Sequence, residues 1–258
     1  SQLSVDTGHH VITDIRAYHA DKKDNQHLQD IVSRLQPRLH KTGILWRNCI
    51  ADAGYSSGEN YAFLEKLSLK SFIPAHGTYR GGPKGFDYNI DQDHYICPQG
   101  EIIPFKKVFK DYRTATLKKE YRSSSKQCKG CPLKADCLGR KAKEKTFSVT
   151  FYKQEYDRNI ERVESKQGRY MKAKRQSTVE PVFGTLTQFM GLRKINTIGL
   201  KQANKVMHLS AIAYNLKKYL KFTQKRAKSG AKALRSLLLE IKALQHFITS
   251  NSSPLNLA

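Results

Sequence analysis

Three groups of side chains in this chain have the types and spacing to do chemistry: Asp52, Glu180, and the cysteines Cys97, Cys128, Cys131 and Cys137. Asp52 follows the apolar run at residues 44–51 and opens Asp52-Ala53-Gly54-Tyr55-Ser56-Ser57. That is where side chains leave the edge of an α/β sheet and enter a ligand crevice. An aspartate after a strand can equally do no more than start a turn. Glu180 is the only carboxylate between Ser165 and Leu239, in a stretch rich in Lys and Arg. It could pair with Arg175, five residues earlier, or it could hold a divalent cation. In phosphodiester chemistry two metal ions about 4 Å apart activate the attacking oxygen and stabilise the leaving one, and Asp and Glu oxygens hold them. Lys and Arg around such acids grip DNA phosphates.

The cysteines have metal-ligand spacing. Cys128-Lys129-Gly130-Cys131 is a Cys-x-x-Cys pair, Cys137 lies six residues on, and Cys97 lies 31 residues before the pair. Four thiolates on two turns can build a tetrahedral structural zinc site. Free thiols in a reducing compartment are the other reading, and a disulfide or redox pair a third. Cys49, inside the apolar run before Asp52, reads as a small core residue. His9, His10, His19 and His27 form no His-x3-His pair and read as surface or core residues.

The elements that must position these groups follow from periodicity. Residues 3–6 and 10–17 are β-prone and flank Thr7-Gly8-His9, as in a hairpin. Asp24 reads as a helix N-cap, and Leu28, Ile31, Val32 and Leu35 form one apolar helical face over residues 25–39, ended at Gly43. Residues 44–51 read as a strand. Ser56 or Ser57 caps a helix carrying Tyr61, Phe63, Leu64 and Leu67. A strand over 71–75 completes the order ββαβαβ. Between residues 77 and 145 the periodicity is lost and Gly81, Gly82 and Gly85 cluster, which predicts an inserted module held by something other than a core. The segment from Phe105 to Arg113 interleaves aromatic and basic residues. It could stack on splayed bases or be an amphipathic strand. Helices follow: a charged one over 156–175, one over 200–219 with Ala203, Val206, Leu209, Ile212, Ala213 and Leu216 on its apolar face, and one over 231–248.

Lys and Arg number 46 against 22 Asp and Glu, a net charge of +24 that favours a polyanionic partner. The excess is +7 in residues 1–140 and +17 in 141–258, so the DNA-facing surface is expected to be mainly C-terminal. With no run of 18 apolar residues and no charged start leading into an apolar core, neither a spanning helix nor a signal peptide is expected. A soluble, cytoplasmic protein without a membrane partner is the resulting expectation.

Ile50-Ala51-Asp52-Ala53-Gly54-Tyr55 resembles the second-aspartate motif of the DDE transposases of bacterial insertion sequences. Val179-Glu180-Pro181-Val182-Phe183-Gly184, followed by Gly191-Leu192-Arg193, resembles their glutamate motif, and the likeness runs on to Asn215-Leu216-Lys217-Lys218. The resemblance implies an α/β fold, a ribonuclease H-like mixed sheet flanked by helices with a small Cys-rich insertion and a helical C-terminal region; the cysteine spacing adds the expectation that the insertion binds zinc. It implies Asp52 and Glu180 as ligands of catalytic Mg²⁺ or Mn²⁺, and hydrolysis followed by strand transfer at the ends of a mobile element. Partners implied are double-stranded DNA, as element end and target, and a second copy in a homodimer on paired ends.

In that family the first catalytic aspartate lies on the sheet's first strand. The surroundings of Asp6, Leu3-Ser4-Val5-Asp6-Thr7, resemble the second strand, so the chain is read as a C-terminal fragment that lacks the first aspartate. Tyr170 and Arg175 precede Glu180 at wider spacing than in many relatives, and Thr187 stands where a Lys is common; Arg193 or Lys194 could serve instead. The expected division is 1–76, the truncated first part of the catalytic domain; 77–145, the Cys-rich insertion; 146–222, the helical part carrying Glu180; and 223–258, a helical tail. An enzyme of DNA transposition, inactive in this fragment alone, is one expectation. A catalytically inactive DNA-binding remnant with a structural zinc module is the alternative.

Overall fold

The computed structural model describes residues 1–112, 114, 116–139 and 141–251, without the side chains at 225, 227, 231, 233 and 243–251. The end of the expected tail, 252–258, lies outside the described residues. The chain forms two compact units, one of Ser1, residues 3–17 and 182–258, the other of Gln2 and residues 18–181.

In the first unit, β1 (Gln2–Val5) and β2 (Ile12–Arg16) form the expected hairpin. Ile12, Ile15 and Ala17 pack on Val182, Leu186, Met207, Ala211 and Tyr214. Met207, Ala211 and Tyr214 belong to α6 (Leu200–Asn251), a single helix where the sequence suggested two. The side chain of Asn215 accepts from Ile12 N at 2.9 Å and donates to Ile12 O at 2.8 Å. Asn204 accepts from Ala17 N at 2.9 Å and donates to Ala17 O, while His208 meets Ile15 O at 3.1 Å. Helix side chains thus complete the hydrogen bonding of a strand edge, which would otherwise leave backbone groups unpaired. These polar clamps set the rotation of α6 and correct the expected apolar face: Leu209, Ile212 and Leu216 are exposed.

The second unit starts from α1 (Leu28–Lys41), whose Leu28, Ile31, Val32 and Leu35 are buried as the periodicity requires. Gly43, at φ +73°, ends it: Gly43 N bonds His40 O and Ile44 N bonds Leu39 O, a reversal for which a left-handed residue is needed. The expected strand at 44–51 contracts to β3 (Asn48–Ile50), and Ile44 and Leu45 are exposed. Ser57 caps α2 (Gly58–Lys66) by accepting from Asn60 N. β4 (Lys70–Phe72) lies parallel to β3, Cys49 opposite Ser71. The core here is Leu28, Val32, Cys49, Tyr61, Leu64, Leu69 and Ile73.

The segment expected to lack a core has one. β5 (Asp87–Asn89), β6 (His94–Ile96), β7 (Ile102–Lys110), β8 (Leu117–Arg122) and β9 (Thr146–Thr150) form a five-stranded antiparallel sheet in that order. Tyr95, Ile103, Tyr121 and Val149 are buried on one face with Phe86, Tyr88 and Phe147 against them. The core escaped the sequence reading because tyrosine supplies much of it and lysines alternate with it. A short helix, α3 (Lys134–Cys137), lies between β8 and β9. Next come α4 (Lys153–Glu164) and α5 (Lys166–Gly184). On α4, Asn159 is wholly buried and donates to Ile73 O at 2.8 Å, while Arg158 and Arg162 pair with Glu65 of α2 at 2.6 and 2.7 Å.

Candidate functional site

Asp52 lies two residues beyond the end of β3 and caps a single 3-10 turn, Ala53–Tyr55, with its Oδ1 accepting from Gly54 N at 2.9 Å. A side chain on Gly54 would place its Cβ 3.0 Å from Asp52 Oδ1 and 3.0 Å from Asp24 Oδ2. The two carboxylates therefore flank one small space that only glycine leaves open. Asp24 does not cap α1 as the sequence suggested; His27 holds that position, and Asp24 sits in the preceding 3-10 turn, Asp24–Gln26. Its Oδ1 accepts from Gln2 Nε2 at 2.7 Å. Burial, then the charges of Asp24 and Asp52, raise the pKa of the neighbouring Tyr55 phenol. No sequence spacing marks Asp24 as a neighbour of Asp52.

Glu180 lies in the last turns of α5, 63 % exposed, with Arg175 Nη2 4.0 Å from its Oε1. Such an exposed pair contributes little energy. Tyr170 and Arg175 share α5, and Thr187 lies in the π-helical turn Thr185–Phe189. Asp6 serves its own turn, accepting from Gly8 N at 3.1 Å and His9 N at 2.6 Å. Among the described residues no group of three or more His, Cys, Asp or Glu converges to hold a metal ion. The donor chemistry beside Gly54 does fit a hard cation: Mg²⁺ is commonly held by one or two protein carboxylates, with water and substrate phosphate completing its shell.

Cys97, Cys128, Cys131 and Cys137 line one cavity of about 230 Å³, with Lys129, Lys134 and Lys145 beside them. None is in a disulfide. Cys97 ends β6 through a turn in which Gly100 N bonds Cys97 O. Cys128 Sγ lies 3.2 Å from Ser123 Oγ, and Lys145 Nζ donates to Cys137 O at 2.6 Å. The thiols share a cavity without closing on a common point. Cys49 is different: it is a core residue, and burial pushes its thiol up to about 12. His27 is also buried, its ring stacked on Tyr18 at 4.0 Å, and burial followed by Lys22 lowers its pKa.

Residues 96–220 match the family model described as the transposase DDE domain. This stretch resembles DDE-type transposase sequence. It contains the four cavity cysteines and Glu180, together with α4, α5 and the first turns of α6; Asp52 and the hairpin lie before it. No curated protein and no solved structure matched the chain. The matched span thus begins at the end of β6 and runs through most of the sheet, α4, α5 and the Asn204–His208–Asn215 clamp. No helix among the described residues is long and apolar enough to cross a membrane.

Proposed function

We propose that the chain is part of a metal-dependent DNA transposase that hydrolyses phosphodiester bonds and transfers strands at insertion-sequence ends. The match of residues 96–220 to the transposase DDE domain carries this reading. The order ββαβαβ with β3 parallel to β4 supports a ribonuclease H-like catalytic fold, interrupted by a Cys-rich insertion over residues 77–145. Asp52 and Glu180 are the proposed ligands of Mg²⁺ or Mn²⁺, which when bound supplies charge stabilisation at the scissile phosphate. The chain's own part is to orient these carboxylates and to hold duplex DNA. Asp52 is fixed by its turn, and 24 Lys and Arg against 7 acids in residues 141–258 attract phosphates. Cys97, Cys128, Cys131 and Cys137 are the proposed ligands of a structural Zn²⁺, a reading supported by their common cavity.

The alternative is a catalytically inactive DNA-binding remnant with a structural zinc module, which the basic surface of residues 141–258 would equally serve. One experiment tests both. With supercoiled plasmid and Mg²⁺ or Mn²⁺ the chain is expected to bind without nicking, and Mn²⁺ binding followed by titration calorimetry is expected to drop in Asp52→Ala and Glu180→Ala. Unchanged Mn²⁺ binding in both variants would remove the ligand assignment. Nicking lost in both Asp52→Ala and Asp6→Ala would make Asp6 the third carboxylate.

A further inference from the structure

The sheet β5–β9 has a second, open half on its core face. Directly paired residues on antiparallel strands share a face, as do residues two apart on one strand. Phe105 and Phe147 flank Tyr121; Val108 and Val149 flank Lys119; Lys110 pairs with Leu117. The irregularity between Phe105 and Lys107 keeps Phe105 and Val108 on one side. Phe151 N bonds Leu117 O and so extends the last row. The row of Tyr121 and Phe147 is core, whereas Phe105, Val108, Leu117 and Phe151 are each exposed by about two-fifths. Lys119 Nζ lies 5.9 Å from the Phe105 ring centroid and 5.6 Å from that of Phe151, and it is held there by an ion pair with Asp93 at 2.8 Å, so the two rings form one patch around it. At the tip of the β7–β8 hairpin Tyr112 is 97 % exposed. Lys110, on this face at the end of β7, is exposed.

We propose that this face, with Tyr112 at its tip, is a platform for unpaired DNA bases. The inference rests on the DNA reading above and names the form of DNA that this surface takes. Aromatic rings on a sheet offer flat faces on which splayed bases stack, and interleaved lysines follow the backbone phosphates. Bases inside a duplex are already stacked on each other, so a duplex gains only the phosphate contacts here. The opposite face carries Phe109, half-buried with Lys107 Nζ 6.0 Å from its ring centroid, and there Arg122 is paired with Glu144, so it offers less open ring surface.

Fluorescence anisotropy of the 258-residue chain with a labelled oligothymidylate, and with a labelled duplex of equal length, tests this. Tyr112→Ala should weaken binding of the single strand about tenfold, in keeping with the usual effect of removing one stacking ring. Duplex binding should stay unchanged, and Tyr112→Phe should restore the single strand. Phe151→Ala should act like Tyr112→Ala; because Tyr112 is almost wholly exposed, its variant reads the surface without disturbing the fold. Equal losses on both DNAs, or an unchanged single-strand affinity with duplex binding intact, would overturn the platform alone. Binding of the duplex but not of the single strand would overturn the platform alone; failure of both DNAs to bind would overturn the platform and the DNA reading together.

Discussion

Asp24 and Asp52, 28 positions apart in sequence, both bring a carboxylate oxygen to Gly54, each 3.0 Å from where a Cβ on that residue would lie. The backbone of Gly54 is not in the left-handed region, so the requirement for glycine is one of space. Gly54→Ala is therefore expected to push both acids aside. It should cost about 1 kcal/mol, in the ordinary range for a crowding substitution. In an Asp24→Ala background the same substitution should cost less, because one of the two obstructing oxygens has gone. A double-mutant cycle by urea denaturation measures the coupling; strict additivity would show that the carboxylates do not share this space.

A second prediction concerns the clamp on the hairpin. Asn215 satisfies both backbone groups of Ile12, and a leucine of similar size would leave an N–H and a C=O unpaired against the helix. Asn215→Leu should destabilise by roughly 2 kcal/mol or more, since each unsatisfied buried group costs about 1–3 kcal/mol. Asn215→Asp keeps the acceptor for Ile12 N and loses the donor to Ile12 O, so it should fall between. Chemical denaturation orders the three proteins; a leucine variant as stable as the parent would mean that water replaces the clamp.

The same clamp shows what could be read in the sequence and what could not. Leu28, Ile31, Val32 and Leu35 disclosed α1 because a three- and four-residue rhythm of apolar side chains needs no partner to be recognised. The turn that starts at Asp52 was legible because it follows an apolar run. In α6 the contact face carries Asn204, His208 and Asn215, polar residues whose burial depends on a strand nearly 200 positions away. Periodicity therefore selected Leu209, Ile212 and Leu216, which are exposed. The core of the five-stranded sheet was hidden for a related reason: Tyr95 and Tyr121 are fully buried, yet tyrosine is not counted as a core residue by its polarity. Asp24 joined Asp52 through the fold alone.

Two carboxylates link stability to pH. Burial pushes Glu65 up, but hydrogen bonds and charge from Arg158 and Arg162 outweigh it and hold the group below its ordinary 4.5. Burial likewise raises Asp93, and bonds from Lys119, Tyr121 and Tyr88 bring it below 3.8. A lowered folded-state pKa gives stability that is complete above the unfolded value and is lost as pH falls through the folded one. The protein should keep its thermal midpoint from pH 7 down to about 5, then lose it progressively below about 4.5. Glu65→Gln should lower the midpoint at neutral pH and flatten the acid limb. An acid limb of unchanged steepness in Glu65→Gln and in Asp93→Asn would assign the acid response to other groups.

The cysteine cavity yields the last prediction. Cys97, Cys128, Cys131 and Cys137 come from a turn after β6, a Cys-x-x-Cys turn with Gly130 at φ +78°, and α3, and they line the same space with Ser123 Oγ 3.2 Å from Cys128 Sγ. A tetrahedral Zn²⁺ with bonds of about 2.3 Å would draw the sulfurs to within about 4 Å of one another. Four thiolates on Zn²⁺ leave a net negative charge, and Lys129, Lys134 and Lys145 around the cavity offset it. Protein purified without chelator should carry one equivalent of zinc, and four of its five thiols should react with a thiol reagent only after the metal is removed. Cys49 is buried in a separate core and should react only on unfolding. Cys131→Ser should lose most of the zinc and lower the thermal midpoint, because binding free energy is spent on folding the turns. Zinc-free protein with four thiols freely titratable in the native state would show that these cysteines are plain side chains of the sheet's outer loops.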